Sequence, residues 1–333
     1  MDIVIAGGGV AAFEAALAAR KYSPDCRIVI HSAENVLPYR RPALPGLISS
    51  DEAAFTKMFI RQESFYQENR LEVRLNSRLT AVDAASKKAL FNGSERVSYD
   101  ALVLATGGKA FVPDLPGAAG ENVLTLRSFE DLLKLRKSLA SGAGKITVIG
   151  GGILGLELVD ALLQSGVRVT LLEQSERLLS RNISPEDSRL MMQELAGLDG
   201  LEVIYNARTT AITPQGAVLS TGETVASDLV IFSTGSRPEL AGLPPELHVD
   251  KAIVVDEYMR TNLPGIYACG DNSQFAGNVC GLYATSRAMA SVAGANAAGA
   301  KNVYVPKAQN ILLNTLGFKM SPDGHVIPTG TKH

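Results

Sequence analysis

Residues 3–12 read Ile-Val-Ile-Ala-Gly-Gly-Gly-Val-Ala-Ala, and this pattern returns at residues 146–155 as Ile-Thr-Val-Ile-Gly-Gly-Gly-Ile-Leu-Gly. Each copy is a short apolar run, three glycines and the start of a stretch with helical spacing. Each helical stretch leads to a second β-branched run, at residues 27–30 and 167–172. A strand, a glycine loop, a helix and a second strand form a parallel βαβ unit. The repeat therefore predicts an α/β fold with two Rossmann-like dinucleotide-binding domains.

Each predicted unit also has a distal strand with a common ending. An Asp, an apolar run and Thr-Gly stand at residues 100–107, and the same order stands at residues 228–235. Segments rich in Pro and Gly punctuate the chain at 113–120 and 238–246, which indicates that the second module is inserted into the first. The predicted division is a first domain of residues 1–112 and 240–300, an inserted second domain of residues 113–239, and a short β tail of residues 301–333.

The composition excludes several classes of protein. The 333 residues carry 32 basic and 34 acidic side chains, so no broad basic surface for nucleic acid is expected. No apolar run reaches the ~18 residues of a membrane-spanning helix, and the first residues resemble a strand rather than a secretory signal. Three cysteines and four histidines lack metal-ligand or CxxC spacing. We therefore expect a cytoplasmic protein with no metal site and no membrane span.

The glycine loops are candidate diphosphate sites. A diphosphate needs backbone N–H groups at the positive end of a helix, and side chains would block that approach. Gly7 and Gly9 meet this requirement in the first loop, with the small Ala12 where the helix packs. Gly150 and Gly152 meet it in the second loop. A tight strand-to-helix turn without a ligand is the alternative, and two copies in the same context make it the weaker interpretation.

The residue that ends the second strand of each unit indicates the nucleotide. Glu173 stands there in the second module, where a carboxylate accepts hydrogen bonds from ribose hydroxyls and repels a 2′-phosphate. This favours NADH over NADPH. In the first module the matching position is His31 or Ser32, either of which can hydrogen-bond a hydroxyl, and Glu34 is a third candidate.

Residues 261–271, Thr-Asn-Leu-Pro-Gly-Ile-Tyr-Ala-Cys-Gly-Asp, resemble the flavoprotein pattern in which an Asp at a strand end binds the ribityl chain of FAD. With the two loops and the Thr-Gly strands, residues 1–300 resemble the pyridine nucleotide-disulfide oxidoreductase family, which has two dinucleotide-binding domains. Residues 37–44, Leu-Pro-Tyr-Arg-Arg-Pro-Ala-Leu, are similar to a segment of NADH:rubredoxin oxidoreductases and nitrite reductase flavin domains. The resemblance implies FAD in the first module and NADH in the second.

The loops and the resemblance together give the candidate cofactor contacts. Those for FAD are Gly7, Gly9, Val10, Ala11, Ala12, His31, Ser32, Arg41, Pro42, Leu79, Ala105, Thr106, Gly107, Asp271, Gly281 and Tyr283. Those for NADH are Gly150, Gly152, Ile153, Leu154, Gly155, Glu157, Glu173, Thr234 and Gly235. For Glu157 two interpretations stay open, a position near the nicotinamide or a favourable charge in the first turn of its helix.

The resemblance also implies the reaction. Family members with redox-active cysteines carry them near the first long helix, and residues 36–60 contain none. We therefore expect hydride transfer from NADH to FAD and onward electron transfer to a protein or small-molecule acceptor, for which rubredoxin is one candidate. No catalytic side chain is required. The alternatives are a flavin subunit of a larger redox complex and a flavin-binding interaction module with little turnover.

The tail resembles only the start of the family's C-terminal interface domain. Residues 321–324, Ser-Pro-Asp-Gly, predict a turn, so residues 310–330 are expected to form a two-stranded hairpin. Such a ribbon is marginal by itself in water. The expectation is that it packs on a second copy of the chain or on a partner subunit.

Overall fold

The computed structural model describes residues 1–307, 313–321 and 323–329. The chain divides into two compact units. Unit 1 comprises Met1–Arg41, Phe55–Lys109 and Arg237–Gln309, and unit 2 comprises Pro42–Ala54, Ala110–Ser236 and Asn310–His333.

Among the described residues, helices are fewer than strands, and both are short. The α-helices are α1 (Val10–Tyr22), α2 (Glu63–Glu68), α3 (Phe129–Ala140), α4 (Ile153–Gln164), α5 (Pro185–Leu195) and α6 (Tyr283–Ala297). The strands are β1 (Asp2–Ala6), β2 (Arg27–His31), β3 (Leu71–Arg74), β4 (Leu79–Asp83), β5 (Lys88–Phe91), β6 (Glu95–Ser98), β7 (Ala101–Leu104), β8 (Gly108–Ala110), β9 (Val123–Thr125), β10 (Lys145–Ile149), β11 (Arg168–Leu172), β12 (Leu201–Ile204), β13 (Thr209–Thr213), β14 (Gly216–Leu219), β15 (Thr224–Ala226), β16 (Leu229–Phe232), β17 (Ser236–Pro238), β18 (Ile253–Val255), β19 (Ile266–Ala268), β20 (Ser273–Phe275), β21 (Asn278–Val279), β22 (Asn314–Thr315), β23 (Phe318–Met320) and β24 (Val326–Pro328).

Unit 1 is built on a parallel sheet with the strand order β3-β2-β1-β7-β19. Its central strands β1 and β7 are apolar apart from Asp2 at the start of β1, as expected for strands covered on both faces. Ile3, Ile5, Leu102 and Leu104 are all fully buried. An antiparallel sheet of β4, β5 and β6 follows β3 in the chain.

Unit 2 repeats this plan. Its parallel sheet has the order β12-β11-β10-β16-β9, and an antiparallel sheet of β13, β14 and β15 follows β12. The first four strands correspond one to one with those of unit 1. The fifth differs, because β19 comes from late in the chain whereas β9 precedes the second glycine loop. The predicted α/β fold with two Rossmann-like modules is confirmed.

Helices α1 and α6 of unit 1 are in close contact. A Cβ atom on Gly294 would lie 1.9 Å from the carbonyl oxygen of Ala15, so only glycine allows this approach of the two backbones. The facing residues Ala290, Ala293 and Ala297 are small and almost fully buried. These small residues of α1 and α6 therefore form a helix-packing surface.

One segment that interrupts unit 1 in the sequence belongs to unit 2. This segment is Pro42–Ala54. Arg136 of α3 donates from Nη1 to three of its carbonyl oxygens at 2.7–2.9 Å, those of Leu47, Ile48 and Ser50. A guanidinium that satisfies three backbone acceptors holds this segment in place. The sequence-based division assigned the segment to the first domain.

The prediction of a two-stranded tail is wrong. Among the described tail residues, β22, β23 and β24 form a three-stranded antiparallel sheet. The predicted turn is present, with a hydrogen bond from Gly324 N to Ser321 O at 3.0 Å. Leu313, Phe318 and Val326 are buried, so this sheet has a covered face within unit 2. The additional strand is only two residues long, too short to show a sequence period.

The membrane prediction concerns the helices. Of those that the structure describes, none has the length and hydropathy to cross a bilayer. The cytoplasmic location remains a prediction.

Candidate functional site

The first glycine loop is fixed by the strands around it. Gly7 has φ +145°, and a Cβ there would lie 2.0 Å from the carbonyl oxygen of Ala105. Its N–H donates to His31 O at 2.9 Å. Gly9 differs, because the nearest atom to its Cβ position is Arg41 Nε at 4.0 Å. Gly7 is thus required by chain packing, whereas Gly9 faces open space at the start of α1.

The second loop reproduces this arrangement. Gly150 has φ +114°, and a Cβ there would lie 2.6 Å from Ser233 O. A Cβ on Gly155 would meet the carbonyl oxygen of Gly150 at 1.9 Å. At Gly152 no atom lies within 4 Å of the Cβ position. Both loops therefore present one open glycine at a helix N-terminus, which is the space that an approaching diphosphate needs.

Side-chain caps separate α3 and α5 from the other described α-helices, including α2, whose N-cap Gln62 forms no side-chain cap. Ser128 and Ser184 cap α3 and α5 with side-chain hydrogen bonds. The N-cap residues of α1, α4 and α6 are Gly9, Gly152 and Leu282, and none supplies a side-chain cap. Helix N-termini have N–H groups without intrahelical partners, so these three ends can bind an anion or a polar ligand edge.

The two Thr-Gly pairs are backbone clamps. Thr106 donates from Oγ1 to Glu239 O, and Glu239 N donates to the carbonyl of the glycine that follows the threonine, both at 2.9 Å. In unit 2, Thr234 Oγ1 donates to Phe111 O at 2.5 Å, and Phe111 N donates to the next glycine's carbonyl at 2.9 Å. Each pair holds the chain where it enters its own unit. These residues were predicted to contact the nucleotides, and this role was not apparent from the sequence.

His31 ends β2 in a buried position. Its ring stacks on Phe91 with a centroid distance of 3.7 Å, and Nδ1 lies 2.8 Å from Ser77 Oγ. Nε2 is buried without a hydrogen-bond partner among the described residues. Burial lowers the pKa of His31 to about 4, so the ring is neutral at pH 7. The adjacent Ser32 is fully buried, and its hydroxyl accepts from Glu34 N at 3.2 Å.

Glu34 is engaged away from the end of β2. Its Oε1 forms an ion pair with Arg41, and its Oε2 accepts a hydrogen bond from Tyr39 OH at 2.8 Å. Burial acts to lower the pKa of Arg41, but Tyr39 and Glu34 outweigh it, so the net shift is upward. Arg41 therefore remains a cation beside the open Gly9. Glu34 and Arg41 are seven positions apart in an irregular segment, so sequence periodicity cannot reveal this ion pair.

Asp271 lies in the loop between β19 and β20. Gly270, with φ +84°, brings this loop onto α1, since its Cβ position is 3.1 Å from Ala11 Cβ. Ser286 donates from Oγ to Asp271 Oδ1 at 3.4 Å. Tyr283 opens α6, and partial burial raises the pKa of its hydroxyl. Unit 1 therefore brings Asp271 and the uncapped ends of α1 and α6 together.

Other predicted FAD residues have different environments. Leu79 is buried in β4, so its backbone rather than its side chain is the available contact. Gly281 is exposed, with no atom near its Cβ position. Ala12 is fully buried in α1, while Val10 is partly buried. Pro42 belongs to unit 2.

Glu173 follows β11 and faces the second loop. Its Oε2 accepts from Gly151 N and its Oε1 accepts from Ser175 N, both at 2.7 Å. These bonds fix the carboxylate at the glycine loop. A carboxylate has about four acceptor sites, so each oxygen can still accept a hydroxyl.

Glu157 occupies the second turn of α4. Its Oε2 is buried without a hydrogen-bond partner among the described residues. Burial, followed by the charge of Asp160, raises the pKa of Glu157. Nearby, Ile153 is partly buried and Leu154 is 52% exposed. Leu154 therefore does not extend the buried face of the helix, contrary to the i, i+4 spacing of its leucines.

The cysteines form no redox pair. Cys26, Cys269 and Cys280 are all buried and outside any disulfide. Burial raises the pKa of the Cys269 and Cys280 thiols, which disfavours the reactive thiolate. Within the part of the chain that the structure describes, no cluster of His, Cys, Asp and Glu could hold a metal ion.

Residues 1–299 match the family model described as pyridine nucleotide-disulphide oxidoreductase. The chain belongs to this family. It is 35% identical over 277 residues to rubredoxin-NAD(+) reductase of Pseudomonas putida, which covers 81% of this chain and 71% of the relative. It is 29% identical over 325 residues to NADH-rubredoxin oxidoreductase of Clostridium acetobutylicum, covering 97% and 82%. A ferredoxin reductase structure from Rhodopseudomonas palustris superposes with a TM-score of 0.86 at 28% identity, covering 96% and 81%.

Membership of this family gives the cofactors and the reaction type. The chain is an FAD-dependent oxidoreductase that takes hydride from NADH and passes electrons to an acceptor. The site geometry fits two dinucleotides, because each unit has an open glycine at an uncapped helix. When bound, FAD supplies the acceptor atom for the nicotinamide hydride.

Proposed function

We propose that this oxidoreductase delivers electrons from NADH to a small one-electron carrier protein of the rubredoxin or ferredoxin type. Two named relatives are reductases of rubredoxin, and a similar solved structure is a ferredoxin reductase. The observation that best supports this proposal is that all three cysteines are buried and outside any disulfide, so no thiol pair is available to carry electrons. Without a thiol relay, the electrons pass from the reduced flavin directly to the acceptor.

In this proposal unit 1 holds FAD. The open Gly9 and the N-terminus of α1 bind the diphosphate, with Arg41 as the neighbouring cation. Asp271 accepts hydrogen bonds from the ribityl hydroxyls, and the N-terminus of α6 at Gly281 and Tyr283 faces the flavin.

Unit 2 holds NADH in the same manner. Gly152 and the start of α4 bind the diphosphate, and Glu173 accepts the adenosine ribose hydroxyls. Glu157 lies farther along α4, toward the nicotinamide end. The protein contributes position, helix dipole and water exclusion, and no side chain moves a proton in the hydride step.

An acceptor screen tests the proposal. The holoenzyme is supplied with NADH anaerobically, and initial rates are measured with rubredoxin, a ferredoxin, a quinone and a low-molecular-weight disulfide. Turnover with a carrier protein should exceed the other rates by at least about tenfold. Turnover with the quinone or disulfide alone would contradict it. If the enzyme reduces only proteins that co-purify with it from native extract, the acceptor is instead a dedicated partner subunit.

A further inference from the structure

Glu34 and Tyr39 converge on the guanidinium of Arg41. Arg41 donates from Nη2 to Glu34 Oε1 and from Nη1 to Tyr39 OH, the second at 3.1 Å. Tyr39 OH in turn donates to Glu34 Oε2 at 2.8 Å. The Arg41 Cζ atom lies 5.3 Å from the centroid of the Tyr39 ring. The three side chains therefore form a closed set of hydrogen bonds, which fixes the orientation of the guanidinium.

Both partners of Arg41 are themselves held by the backbone. The carbonyl oxygen of Glu34 accepts a hydrogen bond from Asn76 N at 3.0 Å. Tyr39 forms an antiparallel bridge with Phe59 and is only 2% exposed. All of these contacts join protein atoms of unit 1. Glu34 and Tyr39 therefore keep their positions independently of a cofactor.

Arg41 lies at the first glycine loop. Its Nε is 4.0 Å from the position that a Cβ atom would occupy on Gly9. Gly9 is the N-cap residue of α1 and supplies no side-chain cap. The guanidinium bonds to Glu34 and Tyr39 through its two terminal nitrogens, and Nε is its atom nearest to Gly9. A cation in this place can bind a phosphate together with the N–H groups of the helix end.

The position of Arg41 matters because an arginine is costly to order. A long side chain that is fixed only when the ligand binds loses much rotamer freedom at that moment. A side chain that the protein has already fixed avoids this cost. The side chain of Arg41 is 31% exposed and that of Glu34 is 21% exposed, so solvent weakens their ion pair. The buried Tyr39 supplies the second restraint, since its hydroxyl bonds to both charged groups.

We propose that Glu34 and Tyr39 are positioning residues for FAD, because they hold the Arg41 guanidinium at the open start of α1, where the diphosphate binds. This inference rests on the proposed function, which places FAD in unit 1. The negative charge of Glu34 by itself repels a phosphate. Glu34 therefore contributes to FAD binding through the position of Arg41, and a shorter side chain of the same charge should weaken that binding.

The test measures FAD release from the holoenzyme as the rise in flavin fluorescence after dilution. It compares the parent with Glu34→Asp, Tyr39→Phe and Arg41→Met, each purified with one FAD per chain. Glu34→Asp and Tyr39→Phe keep the net charge, so their effects report the position of Arg41. Each should release FAD about fivefold faster than the parent, and Arg41→Met about tenfold faster. The matched control is Glu72→Asp, at a half-exposed carboxylate that also pairs with arginines of unit 1, and it should release FAD at the parent rate.

Double variants show whether Glu34 and Tyr39 act through Arg41. In the Arg41→Met background, Glu34→Asp and Tyr39→Phe should each change the release rate by less than about twofold, because the group that they position is gone. General damage to the fold would instead add to the effect of Arg41→Met. Additive effects, or parent-like release in either single variant, would overturn the inference. An unchanged release rate in Arg41→Met itself would instead overturn the placement of FAD in the proposed function.

Discussion

His31 ends β2, whereas Glu173 immediately follows β11, and the residue of unit 1 that corresponds to Glu173 is Ser32. The environments of His31 and Glu173 differ. His31 is a buried, neutral ring stacked on Phe91, whereas Glu173 is a carboxylate fixed by two backbone N–H groups. The sequence placed both residues at nucleotide ends from their strand position alone. It could not reveal the stack on Phe91, because 60 residues separate the two rings in the chain. These different environments lead to different tests.

The His31 environment predicts a pH-dependent stability. Its folded pKa of about 4 lies below its ordinary value of 6.5, so the unfolded chain binds more protons between these pH values. Stability contributed by the neutral ring is present above pH 6.5 and is lost as the pH falls toward 4. The full loss amounts to about 3 kcal/mol in the free energy of unfolding.

Urea unfolding of His31→Leu and the parent at pH 7, 5 and 4 measures this effect. The variant should show a smaller loss of stability on acidification. The exposed His248→Gln serves as the matched control and should follow the parent. Identical pH dependence in His31→Leu and the parent would show that His31 does not titrate as described.

Glu173 predicts the preference between nicotinamide nucleotides. A carboxylate at this place repels a 2′-phosphate, so the parent should use NADH better than NADPH. The double change Glu173→Ser and Gln174→Arg removes the repulsion and adds a cation. The ratio of kcat/KM for NADH over NADPH should fall at least about tenfold. Equal use of both nucleotides by the parent would assign the discrimination to another residue.

At the scale of elements, the two strand–loop–helix units were the easiest part of the structure to predict from the sequence. Their glycines, helix starts and following strands were predictable, because dense local spacing encodes them. The Thr106–Glu239 clamp was not, since its partners are 133 positions apart. The short strand β22 was missed because two residues show no period. Local patterns are thus encoded in the sequence, while long-range hydrogen bonds require the folded chain.

The two kinds of glycine in each loop predict opposite outcomes. Gly7→Ala should destabilise the fold by about 2 kcal/mol or more, because its φ is positive and its Cβ would meet Ala105 O. Gly9→Ala and Gly152→Ala should fold normally, since both Cβ positions are open. Gly9→Ala should weaken FAD retention, and Gly152→Ala should raise KM for NADH with FAD retained. Normal cofactor binding in both open-position variants would remove the loops from the site.

At the scale of the whole molecule, the described tail residues from 313 onward belong to unit 2, and residues 301–307 belong to unit 1. Thr315 and Leu316 bond to Asp160, and His325 Nδ1 lies 3.4 Å from Asp187 Oδ2. The sequence supplied no partner for this surface, so association with another copy or a subunit was expected. The structure shows a covered face within the same chain, and the association itself remains a prediction.

Deletion of residues 308–333 tests what the tail contributes. FAD retention should be unchanged, because its proposed contacts in unit 1 end before residue 300. KM for NADH should stay within about twofold of the parent, because the proposed NADH contacts in unit 2 end at residue 235. Light scattering before and after deletion measures association. An unchanged KM would show that the tail is independent of the NADH site, and an unchanged mass would show that it does not mediate oligomerisation.

This chain binds two dinucleotides and transfers hydride from NADH to FAD. Anaerobic titration of the purified, FAD-loaded protein with NADH, followed by visible absorbance, tests it most directly. We expect one FAD per chain and complete bleaching of the flavin by one equivalent of NADH. Addition of oxidised rubredoxin or ferredoxin should restore the flavin colour. A protein that binds no FAD, or a flavin that stays oxidised in excess NADH, would contradict it.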